Sequence, residues 1–204
     1  MLISSDNYTG ECSDIAIYIH MLICRSLYLF KPKMKNPIDY LSHKIKKQKK
    51  IQSNTVLLAY QTLKHLPGGL LVLSKVISRV APYFRTVNPV ITKLDVGFCE
   101  ASMSKSRSVE NHIGTVHVIA ICNGLEFVMG VAMEASIPSH LRWLPKGMHV
   151  DYVAKANSDI QLKARINEDW KVGDMKVEVI AYREDGKPVV QGYILIWVTE
   201  NKEA

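Results

Sequence analysis

Residues 111–133, NHIGTVH followed by VIAICNGLEFVMGVAM, decide how the chain folds. From Ile113 to Met133 a single side chain, Glu126, carries a formal charge, and the polar exceptions are Thr115, His117 and Asn123. The stretch from about 115 to 135 predicts one long helix that is apolar on every side. Such a helix has to be wrapped by other structure. Ile137-Pro138 ends it, because the residue before a proline disfavours helix. Glu126 is therefore expected to be buried. An unpaired buried charge costs several kcal/mol, tolerated for a hydrogen-bond network or for chemistry.

Working outward, the pattern changes from helical to alternating. Thr55–His65 and Leu70–Val80 predict two short helices separated by the Pro67-Gly68-Gly69 break. Tyr83–Pro89 reads as a linker. Val90–Val96 and Cys99–Ser104 predict a strand pair turning at Gly97. Beyond the long helix, Met148–Lys155, Ile160–Asn167, Lys176–Arg183 and Val189–Val198 predict four antiparallel strands. Asn157-Ser158-Asp159 suits the first turn, and Asp185-Gly186 is a hairpin signal. Strand pair, long helix and strand run together give an α+β class. Edge strands of such a sheet are exposed unless a second subunit pairs with them.

The chain has 204 residues, and its net charge of +7 is lopsided. Residues 1–50 hold nine basic and four acidic residues, leaving seventeen against fifteen in the rest. The compact part is nearly neutral and carries no nucleic-acid footprint. The division is an N-terminal extension over 1–50 and a domain over 51–204, with helices at 55–80 and the core at 88–200. Residues 1–33 read either as an anchor or, preferred, as a stretch translated ahead of a start at Met34. The basic run HKIKKQKK at 43–50 reads as a solvated helix face, with attraction to an anionic membrane surface or nucleic acid as the sharper reading. Ile15–Phe30 is too short and too polar for a membrane span. Cys12, Cys24, Cys99 and Cys122 form no CxxC pair, so no zinc or redox motif is expected. A reducing, cytoplasmic setting follows. Cys122 reads as a small core residue.

The segment from Asn111 to His117, the acid nine residues beyond His117 and the stretch RWLPKGMHVDY at 142–152 carry a resemblance. Together with the strand order they resemble the hotdog fold, and within it acyl-CoA thioesterases of the phenylacetyl-CoA thioesterase type. The whole window is similar to a branch of hotdog proteins grouped as a domain of unknown function. The likeness covers roughly residues 56–200. It implies a curved antiparallel sheet wrapped around one central helix, a homodimer or homotetramer, and active sites formed across a dimer interface. It implies no cofactor or metal, coenzyme A entering only as part of the substrate.

On that resemblance Gly114 and His117 match the segment that opens the central helix, and Glu126 falls on the catalytic acid. Backbone N–H groups at a helix N-terminus polarise a thioester carbonyl, which points to those of Val118 and Ile119. Glu126 then acts as general base on water or as nucleophile. His117 orients the loop or hydrogen-bonds the carbonyl. Asn111 holds the water or the neighbouring subunit's loop. Asn123, three residues before Glu126, shares its helix face and can hydrogen-bond the carboxylate. His112 reads as a loop residue. Arg142, Lys146 and Lys155 are candidates for the phosphates of coenzyme A, against a plainer reading as separate surface charges. Trp143 reads as packing rather than an adenine platform. The sequence departs from the family at two points: Val118 and Ile119 replace a pair of glycines, and the acid is Glu where Asp is commoner. Two other readings stand beside the hydrolase: a 3-hydroxyacyl dehydratase using His112 or His117 with Glu126, and a module that binds acyl-CoA without turnover.

Overall fold

The computed structural model describes residues 54–201, so the basic run at 43–50, Cys12, Cys24 and the rest of the N-terminal extension lie outside the described residues. Two short helices lead in, α1 (Thr55–Leu63) and α2 (Gly69–Val80). Asn54 caps α1, its side chain accepting from the Val56 N–H at 3.1 Å. A 3₁₀ segment, Pro82–Thr86, replaces the expected linker. Strands β1 (Val90–Asp95) and β2 (Phe98–Met103) precede the central helix α3 (Val118–Glu134). Four strands follow: β3 (Leu141–Tyr152), β4 (Ile160–Ile166), β5 (Gly173–Arg183) and β6 (Pro188–Glu200).

All six strands pair antiparallel in the order β1-β2-β4-β5-β6-β3. Alternation places Met175, Val177, Val179 and Ala181 of β5 against the helix and turns Lys176 and Glu178 outward. The same period on β4 and β6 builds one apolar face that receives α3. Gly124 lets the helix settle there: a Cβ at that position would stand 2.6 Å from Leu162 Cδ1.

Three expectations change. The strand run is not a meander: β3 leaves α3 for the far edge, pairs with β6, and the chain crosses back to place β4 between β2 and β5. Residues 157–159 therefore lie in a crossover rather than a hairpin. β3 also begins seven residues earlier than predicted, at Leu141. Pro145-Lys146-Gly147 looks like a turn, but here it is a bulge in an edge strand, where a proline need not donate to the ladder.

The third change concerns the wrapping of α3. In this chain the sheet covers one side of the helix and the N-terminal layer part of the other, leaving an uncovered stripe. Ile119 and Glu126 are exposed on it, and Cys122 and Gly130 are half-buried. Glu126 is thus not buried within the chain, because the one sheet cannot close around the whole helix.

The N-terminal layer is tied down at two points. Ser74 on α2 donates to Leu70 O at 2.7 Å and accepts from the Ile91 N–H of β1 at 2.9 Å, next to a bulge in that strand. Phe84 meets Phe127 edge to face at 5.4 Å between ring centres.

Candidate active site

The approach to α3 is a knot of short-range hydrogen bonds. The Asn111 Oδ1 accepts from the N–H groups of Ile113 and Thr115, each at 3.1 Å, and its Nδ2 donates to Thr115 Oγ1 at 2.8 Å. Gly114 completes the turn at φ +74°, a left-handed conformation that favours glycine, and donates to Asn111 O. Val116 N–H donates to Ala156 O at 2.8 Å, and His117 N–H to Val109 O at 2.7 Å. The segment entering the helix is therefore held from both sides. Asn111 spends its side chain on its own loop, which replaces the expected role in holding water or a neighbour's loop.

His117 is the N-cap of α3. Its Nδ1 accepts from the Ile119 N–H at 3.1 Å, so the neutral ring carries its proton on Nε2, on an exposed side chain. This corrects the expected pair of polarising donors. The Ile119 N–H is engaged by the cap, whereas Val118, at the first helical position, keeps an N–H with no intrahelical acceptor. That N–H sits at the positive end of the helix dipole.

Beside it lies a pocket of about 180 Å³. Asn111, Thr115, His117 and Tyr152 stand at its partly or fully exposed mouth. Val116, Ile121, Val189 and Val190 form a buried apolar floor, each 3% exposed or less. Sequence reasoning missed the floor, since Val189 and Val190 look like any apolar residues of a strand and only the strand order brings them to the helix start.

The other expected residues do not converge here. Glu126 lies nine residues along α3, about 13 Å at 1.5 Å per residue. Asn123 is buried but turns away from Glu126. Its Nδ2 donates to Thr86 Oγ1 at 2.9 Å and Tyr83 O at 3.3 Å, tying α3 to the 3₁₀ segment and leaving its buried Oδ1 without a partner. His112 is exposed at the tip of the loop. Arg142 donates to Thr199 Oγ1 at 3.0 Å. Lys146 pairs with Asp174 at 2.8 Å and lies over the Trp197 ring at 5.0 Å. Arg142 stands near the start of β3 and Lys155 three residues past its end, with ten residues of strand, about 30 Å at strand rise, between Arg142 and that end. The three basic residues form no common phosphate site within this chain.

One acid was overlooked. Glu134, eight residues after Glu126, accepts from Trp143 Nε1–H at 2.9 Å, and burial pushes its carboxyl above the ordinary carboxylate range against that hydrogen bond. Trp143 is thus a packing residue, its ring resting where Gly130 leaves room. Two turns of helix from Glu126, with an indole five residues past a proline, was a signal available in the sequence. Cys122 is half-buried on the uncovered stripe rather than in the core, and burial raises its thiol pKa. Among the described residues no group of three His, Cys, Asp or Glu side chains gathers to hold a metal ion. No helix among them is long and apolar enough to cross a membrane.

A family model described as a domain of unknown function, DUF4442, matches residues 69–198. The chain belongs to the DUF4442 family. A structural-genomics crystal structure is 39% identical, with a TM-score of 0.64, covering 72% of this chain and 98% of its own. A thioesterase family protein from Silicibacter pomeroyi is 16% identical, with a TM-score of 0.56 over 63% of this chain and 96% of that one. A thioesterase from Haemophilus influenzae is 13% identical, with a TM-score of 0.55 over 64% and 90%. No curated protein matches the chain. At these identities the two thioesterases establish the fold alone: this DUF4442 chain has the hotdog fold, as its sequence resemblance implied.

Proposed function

We propose that this DUF4442 protein hydrolyses acyl-CoA thioesters as a homodimer, with each active site built from two copies. The observation that carries the reading is the split along α3. The helix start offers a capped His117, a free Val118 N–H and an apolar pocket, while the acid stands about 13 Å away on a stripe this chain leaves uncovered. Two copies related by a twofold axis bring the helix start of one to the middle of the other. Such an isologous contact is the commonest form of association. Among the described residues β3 is an unpaired edge, regular from Gly147 to Tyr152 beyond its bulge and suited to pairing with its own copy. The thioesterase fold neighbours support the reaction class.

In this reading the Val118 N–H and the helix dipole receive the thioester oxygen as it gains negative charge. The exposed Nε2–H of His117 stands beside it as a second donor. Glu126 of the second copy takes a proton from water. The hydroxide adds to the carbonyl carbon, the C–S bond breaks, and the thiolate of coenzyme A leaves and is protonated. The β-branched side chains of Val118 and Ile119 stay compatible with this scheme, because Ile119 is turned outward and its N–H serves the cap.

Thiol release from a panel of acyl-CoAs, wild type beside Glu126→Gln, tests the proposal. Release is expected to fall by about 10²-fold or more in the variant at unchanged thermal stability, the usual scale for a lost acid–base group. Equal release by both proteins would remove Glu126 from the reaction. Loss of water from a 3-hydroxyacyl-CoA without thiol release would replace the hydrolase by a dehydratase.

A further inference from the structure

The pocket at the start of α3 has a definite size and a closed end, and both bear on what the site accepts. Its floor of Val116, Ile121, Val189 and Val190 is apolar and buried, and its polar groups are confined to the mouth. A polar or charged group reaching the floor would lose its hydration with no partner to replace it. A volume of 180 Å³ is small for a whole ligand, since sites that enclose drug-sized molecules start at about 300 Å³. It is close to cavities of about 150 Å³ that hold a benzene ring. By that comparison it holds a group of about six carbons. Val118 also lines the pocket, so a carbonyl received at its N–H can direct its tail inward.

We propose that this pocket takes the acyl end of the substrate and selects unbranched or ring-bearing acyl groups of about six carbons over both acetyl and long-chain groups. The inference rests on the thioesterase reading for its carbonyl position. Ala154, half-buried on the lining, and Val189, fully buried on the floor, are the two residues whose size sets the depth. Each methylene taken from water into such a floor favours binding by about fourfold. Specificity is therefore expected to climb with each carbon up to about six and to stop climbing there.

The test measures kcat/KM for straight-chain acyl-CoAs of two to sixteen carbons with the full chain. Wild type is expected to peak near six carbons and to drop at least tenfold by sixteen. Ala154→Leu, which fills the pocket, lowers the hexanoyl-to-acetyl ratio at least tenfold. Val189→Ala, which deepens it, moves the peak about two carbons longer. Thermal melts confirm that both variants fold, and the two act in opposite directions. A wild-type peak at fourteen carbons or more, or ratios that move in neither variant, would overturn the pocket's role. Should no acyl-CoA release thiol, calorimetry with hexanoyl-CoA and free coenzyme A decides separately. Hexanoyl-CoA binding at least tenfold tighter than coenzyme A, and losing that margin in Ala154→Leu, upholds the pocket while the hydrolase reading falls. Equal binding of the two overturns the pocket as well.

Discussion

The two faces of α3 share one helix and one composition, yet they do different work. The inner face carries Leu125, Val128 and Ala132 into a core where nothing is exposed. The outer stripe carries Ile119, Cys122, Glu126 and Gly130, and Ile119 is 54% exposed. Both look equally apolar in the sequence apart from one carboxylate. The inner face is explained by this chain alone. In the dimer proposed above the outer stripe is the surface a second copy covers, and one helix would then serve as core on one side and as half of a site on the other.

The sharpest way to break this contrast is to separate the two halves of the site. Co-expression of Glu126→Gln subunits with His117→Ala subunits is expected to restore about a quarter of wild-type thiol release from two inactive parents. In a mixed dimer one site inherits both lesions and the other neither, and half of a random mixture is mixed dimer. Activity no higher than the parents' would place both groups in the same chain's site. The inner face should respond in stability instead. Leu125→Ala, fully buried on that face, should cost about 3–5 kcal/mol in urea unfolding, while Glu126→Gln leaves the midpoint in place.

A smaller effect comes from Glu134, at the far end of the outer stripe. Its carboxyl is raised in the folded chain by burial, so the unfolded state ionises first as pH climbs. Stability is then expected to fall between the ordinary carboxylate value and the raised one, with a slope of at most about 1.4 kcal/mol per pH unit. Glu134→Gln removes that fall and still offers an oxygen to Trp143. Urea midpoints from pH 4 to 8 measure it, and a variant with the same slope as wild type would rule it out. The smallest change belongs to the cap. His117→Ala should cost about 1 kcal/mol of stability, and His117→Asn should recover most of it without recovering activity.

How much of this was readable before the structure differs from residue to residue. The helix and both edges of the hairpin at Asp185-Gly186 follow from periodicity and turn chemistry, and both appear in the fold, whereas the pairing of His117 with Glu126 came only from the family resemblance. The order of the strands does not follow from them, because sequence order says nothing about a crossover that carries β3 to the far edge. The start of β3 is predicted at Met148, seven residues late, because the strand passes through Pro145 by way of a bulge. Asn111 and Asn123 were assigned to chemistry because their residue types suit it. Their partners, two backbone N–H groups in one case and the 3₁₀ segment in the other, are fixed by loop geometry that no spacing rule conveys. Glu126 was expected to be buried because every neighbour in sequence is apolar, and that logic overlooks that a single sheet covers a helix from one side only.

The bond between Ser74 and the Ile91 N–H has a consequence for how many copies can join. It withdraws a donor from the β1 edge, and the adjacent bulge interrupts the ladder there. Among the described residues the sheet is thus blunt at β1, whereas β3 runs unbroken from Gly147 to Tyr152 past its own bulge, which gives the sheet a valence of one. Two copies joined through β3 would consume that valence and present only blunt ends, so edge-to-edge growth halts at a pair where a sheet open on both sides would go on to form fibres.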